Sequence, residues 1–274
     1  MTRIPLSPRL LRATTPGWLW VPAAIGLAAL AGPLVALFVA ANWHDLPALL
    51  AREDSRTALG LSLTTAGAST VVCFVLGLPL AVLLSRLHGA VLALLRGLLV
   101  VPLVLSPVVS GLALLYFWGR QTLVGGWLDA LGLGIGFSPA AVVLVQVFVS
   151  LPFFVVSALS SIESVDTDLE FAGANAGASS WQILSHITLP LAAPGILVGT
   201  LLAFARSLGE YGATITFAGS VAGRTRTLPL QIELALNSND PQAALGVSLM
   251  LIGLYLIVLV IAGTAVGRIF RHER

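Results

Sequence analysis

Six stretches of the chain are almost continuously apolar: residues 17–41, 59–84, 97–118, 138–161, 191–218 and 244–267. Each reaches the roughly 20 residues a helix needs to cross the hydrocarbon core of a bilayer. None alternates apolar and polar positions as the strands of a membrane barrel do. Charged positions gather in the intervals, so the pattern predicts an all-α integral membrane protein with about six transmembrane helices. No interval is rich enough in Pro, Gly or Ser to divide the chain, and no internal repeat is evident. Residues 1–274 therefore read as a single membrane domain. Composition agrees: 57% of residues are hydrophobic and 9% charged, too few charges to cover a soluble surface. The first run follows Arg3, Arg9 and Arg12, as the core of a secretory leader would. Its length of 25 residues exceeds the usual core of about 7–15, so it is read as a retained span.

Arginine placement sets the expected orientation. With the N-terminus inside, the inner side carries Arg3, Arg9, Arg12, Arg86, Arg96, Arg268, Arg271 and Arg274, against Arg52, Arg56, Arg120, Arg224 and Arg226 outside. Both termini are then cytoplasmic, and the interval between the fourth and fifth runs faces the cytoplasm. All fourteen basic residues are arginine. Without lysine the chain has neither the phosphate-binding lysine of a P-loop nor a Schiff-base amine. Any P-loop ATP chemistry must then belong to a partner. The single cysteine, Cys73, excludes an internal disulfide and a cysteine-built metal site.

Polar and helix-breaking residues inside the runs are the candidate functional positions. The second run holds Gly60, Gly67, Ala68, Ser69 and Gly77, small residues that permit close helix packing or form a pore-facing strip. In the third, Pro102 and Pro107 interrupt the hydrogen-bond ladder beside Ser106, Ser110 and Gly111; this marks either a kink or a transport path. Ser150 and Pro152 repeat the theme in the fourth. The fifth contains Arg206 and Glu210, four apart and so on one helical face, with Thr214 nearby. Ionisable groups are costly in a span, so the pair is either a structural lock or an element of a pathway or gate. Arg224 and Arg226 in the following loop could attract an anion or be simply solvated.

The interval "EFAGANAGASSWQILSHITLP", Glu170 to Pro190, is polar and rich in small residues. Asp166 or Asp168 can cap a short helix beginning near Glu170. Small side chains at Ala178, Ser179 and Ser180 suit either a docking knob or an interfacial connector. This interval resembles the cytoplasmic loop of ABC importer permeases, in which Gly is followed by nine residues, Ile, one residue and Leu-Pro. Here Gly177 is followed by nine residues, then Ile187, Thr188, Leu189 and Pro190. The Glu-Ala-Ala triplet that opens the family pattern falls on Phe171, Ala172 and Gly173, with Glu170 one residue early. "RSLGEYGATITFAG", "TRTLPLQIELAL" and "VPLVLSPVVSGLALL" are further similar to molybdate permeases, and the likeness covers most of residues 95–255.

The resemblance implies the type I ABC importer permease fold in a bacterial or archaeal cytoplasmic membrane. It implies a homodimer with one pathway along its axis, a separate ABC ATPase dimer that binds ATP and magnesium, and an extracytoplasmic protein that delivers the oxyanion: molybdate, or alternatively tungstate or sulfate. It assigns residues 163–190 to ATPase coupling, with Glu170, Ala172, Gly177, Ala178, Ser179, Ile187, Leu189 and Pro190 at the contact. No cofactor, metal or nucleic acid is expected on this chain. An ion-coupled secondary transporter is the alternative suggested by Arg206 and Glu210. An intramembrane enzyme finds no His-Glu-x-x-His or Gly-x-Ser-x-Gly motif, and His88 and His186 lie far apart in sequence.

Overall fold

A computed structural model describes residues 17–271; Arg3, Arg9, Arg12 and Arg274, used above for orientation, lie outside the described residues. The described residues are helical with connecting turns, and contain no strand. Contacts divide the chain into two units, Met1–Trp43 and His44–Arg274. In the first, a short 3-10 turn leads into α1 (Trp20–Ala40), none of whose side chains is buried. The Trp43 indole donates to the Phe38 carbonyl at 3.0 Å and stacks on its ring.

The second unit begins with a short α2 (Leu46–Ala51) and the long α3 (Glu53–Arg86). At 34 residues, α3 spans about 50 Å and outreaches the hydrocarbon layer. It is followed by α4 (Gly89–Val104), α5 (Pro107–Trp118), α6 (Leu123–Ala130) and α7 (Pro139–Glu163). The interval between runs four and five folds as α8 (Thr167–Asn175) and α9 (Ser180–Ile183). The chain then widens into π turns over Leu184–Thr188 and runs directly into α10 (Leu189–Leu208). The remainder is α11 (Gly212–Phe217), α12 (Leu228–Asn237) and α13 (Pro241–Arg271).

Helices α3, α7 and α10 form the packed centre around Cys73, Ala81, Leu84, Phe154, Ala158, Ala192 and Ala203. Small residues set the spacing. A methyl group at Gly199 would lie 2.9 Å from the Phe154 carbonyl oxygen and 3.1 Å from the Ser157 side chain. Gly199→Val must therefore push α10 off α7, at a cost of about 1–3 kcal/mol. A clear fall in the melting temperature of the detergent-solubilised protein is expected, and an unchanged value would show that the helices can part freely. The small residues of the second run divide between two roles. Ser69 and Gly77 are packed into the interior, whereas Gly60 and Ala68 are exposed.

Two of the expected spans are broken. The run 97–118 folds as a bent pair: α4 and α5 meet at 115°. Pro107 disfavours the helical conformation in the residue before it, and Ser106 is extended (φ −61°, ψ 144°) while its hydroxyl caps α5 by accepting from the Val109 N–H. The run 191–218 stops at Leu208, passes through Gly209–Tyr211 and resumes as α11. Among the described residues, five helices are thus long and apolar enough to cross a membrane, or six spans are present with the bent pair taken as one.

Candidate functional site

The segment 163–190 is a folded knob. Asp166 is its cap, accepting from the Asp168 N–H at 2.9 Å, so the helix starts at Thr167, ahead of the Glu170 start expected. The chain leaves α8 through Gly177, whose φ of +87° is a left-handed conformation that glycine adopts without a Cβ penalty. Ser179 then caps α9 in a reciprocal box: its hydroxyl accepts from the Gln182 N–H, and its own N–H donates to Gln182 Oε1 at 2.8 Å. Gly173 lies under Ile187 and Ile183, close enough that a Cβ would meet Ile187 Cδ1 at 2.9 Å.

The predicted loop residues separate by position. Ala172, Gly177, Ser179 and Pro190 are exposed, whereas Glu170, Ala178, Ile187 and Leu189 are half-buried. Two aromatic side chains that sequence reasoning did not single out, Phe171 (65% exposed) and Trp181 (71% exposed), stand out on the same knob. Their signal was large apolar residues within a polar interval. Glu170 turns inward: Arg86 grips both carboxylate oxygens at 2.7 Å, and the buried Thr188 hydroxyl donates to Oε1 at 2.5 Å. Hydrogen bonding from Arg86, with Thr188 adding to it, holds this carboxyl below the usual carboxylate range. Arg96 of α4 and Glu163 at the end of α7 form a second ion pair nearby.

The break in the fifth run is the second site. Arg206 and Glu210 are paired at 2.6 Å, as their spacing predicts, with Glu210 1% exposed and the Arg206 side chain 30% exposed. They do not share one helical face, because Glu210 lies beyond the end of α10. Its other oxygen accepts from the Ala213 N–H at 2.9 Å and so caps α11. Three further elements hold the break. From α7, Gln146 donates to the Ser207 carbonyl at 3.1 Å and to Thr65 of α3 at 3.2 Å. Ser69 and Ser150 both hydrogen-bond the Ser207 hydroxyl, at 2.9 and 2.8 Å. From α13, Tyr255 donates to the Ala205 carbonyl at 3.2 Å. Buried polar side chains paired in this way join helices where lipid offers no alternative partner.

The other predicted pathway residues are placed differently. Ser110 and Thr214 are buried within α5 and α11, which pack on each other where Gly111 meets Thr216 and Ala213. Ser106 is exposed at the α4–α5 turn. Arg226 is not a free solvated cation: it donates to Ser220 at 3.2 Å. It shares a cleft of about 270 Å³ with Glu53 and Asp54, whose carboxylates offset its pull on an anion. Among the described residues, no three or more His, Cys, Asp or Glu side chains gather to hold a metal.

Comparison with known proteins places this architecture. Residues 54–272 match the family described as binding-protein-dependent transport system inner membrane component. The molybdenum transport system permease protein ModB of Mycobacterium tuberculosis is 49% identical over 237 residues, 86% of this chain and 89% of the relative. The sulfate transport system permease protein CysW of Escherichia coli is 40% identical over 205 residues, 74% of this chain and 70% of the relative. Among solved structures, a chain of a bacterial alginate ABC transporter superposes with a TM-score of 0.73 at 19% identity, covering 92% of this chain and 93% of that one. With its described residues helical and several helices long and apolar enough to cross a membrane, the chain is a multi-pass transport subunit, and it belongs to the binding-protein-dependent transport system inner membrane components.

Proposed function

We propose that the chain is the permease of an ATP-driven importer that carries molybdate into the cell. The exposed helix–glycine–helix knob at 163–190 carries this reading. It presents apolar surface, Phe171 and Trp181, on a segment where Ser179 and Gln182 are spent on a helix cap and Glu170 and Thr188 are turned inward. Such a surface fits a groove on a separate ATPase, and a chain without lysine needs one. ATP and magnesium sit on that ATPase dimer. Two copies of the chain form the pathway, with both termini cytoplasmic, and an extracytoplasmic binding protein supplies the anion. The greater identity to the molybdenum permease than to the sulfate permease favours molybdate as the cargo.

The test is reconstitution of the chain with the ATPase and binding protein from neighbouring genes, adding molybdate, tungstate or sulfate separately. Binding protein with molybdate is expected to raise hydrolysis at least about fivefold, the scale of a ~1 kcal/mol coupling between sites. Sulfate is expected to have little effect. The absence of any associated ATPase would overturn the reading. So would uptake that survives ATP depletion and collapses with an uncoupler, which is the behaviour of a secondary transporter.

A further inference from the structure

One carboxylate ties three elements at the knob end of the bundle. Arg86 is the last residue of α3, which packs along both α7 and α10. Glu170 lies in α8, and Thr188 lies in the π turns that lead into α10. Arg86 meets Glu170 with both arms of its guanidinium, and Thr188 bonds the same carboxylate from its buried side. Helix α8 rests on α9 and the π turns and has no comparable packing with α3. Beside the ion pair is a cleft of about 480 Å³ lined by Val82, Phe171, Ile183 and Leu184. Apolar contact joins the knob to α3 only at its two ends, where Val165 and Leu189 pack against the cluster that holds Ala81 and Leu84; at α8 the charged clamp makes the connection.

We propose that Arg86 is a positioning residue of the coupling machinery: its fork on Glu170 makes the knob and α3 move as one, so that a displacement of the knob reaches α3 as well as α10. This rests on the coupling-loop reading above. Continuous peptide joins the knob to α7 and α10, but only side chains join it to α3. Without the clamp α8 pivots between its links to α7 and α10, and ATP is hydrolysed with less transport. Lysine cannot substitute, because a point charge on a flexible stem does not fix the geometry of a two-pronged contact.

The experiment measures molybdate uptake and ATP hydrolysis in the same proteoliposomes, using the full complex with its ATPase and binding protein. Arg86→Lys and Arg86→Gln should keep the ATPase bound and binding-protein-stimulated hydrolysis within about twofold of wild type. Molybdate moved per ATP should fall about fivefold, within the range by which residues between two sites modulate coupling. The reversed pair, Arg86→Glu with Glu170→Arg, should recover much of the ratio. Thr188→Val keeps both charges and should lower the ratio less, which gives a measurement if the arginine variants assemble poorly. Uptake and hydrolysis falling in parallel, at an unchanged ratio, would overturn the proposal and leave the clamp a structural contact. Gly177→Arg in the same assay separates the two readings. Normal coupling in that variant would remove the coupling loop itself, whereas its failure beside unaffected Arg86 variants would remove only the clamp.

Discussion

Gly177→Arg is expected to abolish oxyanion uptake while leaving the protein inserted in the membrane. Two separate effects act at this position. The backbone is left-handed, φ +87°, and any side chain there costs about 1–2 kcal/mol. The space around it is open: a Cβ built on Gly177 meets no atom of the chain within 4 Å. An arginine therefore projects outward, away from the chain's own packing and into whatever docks on the knob. Gly177→Ala separates the two causes, since it carries the strain with almost no bulk. The expected order is wild type, then Ala with modest loss, then Arg with uptake and binding-protein-stimulated hydrolysis reduced to background. Co-purification of the ATPase should fall with the same order. Normal stimulated hydrolysis in the arginine variant would remove the docking role of the knob. Equal loss in both variants would assign the effect to the turn and not to a partner's groove.

The spans were legible because apolar runs of sufficient length have few alternatives in water, and the helices follow them to within a few residues, except where they break. The extent of the breaks was hidden because hydropathy averages across them. In the third run Pro102 and Pro107, beside Ser106, marked a kink or a transport path, but nothing in the apolar pattern gave its size, 115°. At the second break the hints were Gly209 and Gly212; Glu210 looked like part of the helix because its spacing from Arg206 is helical. The ion pair itself was legible for the same reason. The Arg86–Glu170 clamp was not, because the partners are 84 residues apart and both lie in charged flanks where many pairings are possible. The helices α2, α6 and α12 fell in intervals that read as loops, since each is too short to carry a strong periodic signal. The inward-turned Gln146 gives no local sign that its amide holds the carbonyl of Ser207, 61 residues later.

Glu210→Gln distinguishes a lock from a working part. Glutamine still offers an acceptor to the Ala213 N–H, so the cap of α11 survives, but Arg206 loses its counter-charge. Removing one member of a buried pair costs about 3–5 kcal/mol, and the partial exposure of Arg206 brings the expected cost toward the lower end of that range or below it. The melting temperature should drop by about 5 °C on that scale, and uptake should fall by a factor of ten or more, about 1.4 kcal/mol or above in coupling. Stability alone cannot assign a role, because any unpaired charge in this position destabilises. The double variant Arg206→Met with Glu210→Gln removes both charges and keeps the cap, and exchanging a buried pair for uncharged groups is often close to neutral. Its melting temperature should return near wild type. If the pair acts in the pathway, uptake stays low in this stable protein, because the charge that faces the passing anion at the break has gone. If uptake returns with stability, Arg206 and Glu210 only hold α10 and α11 in register, and the break between them is kept open for packing by Gln146, Ser69 and Tyr255 rather than for transport.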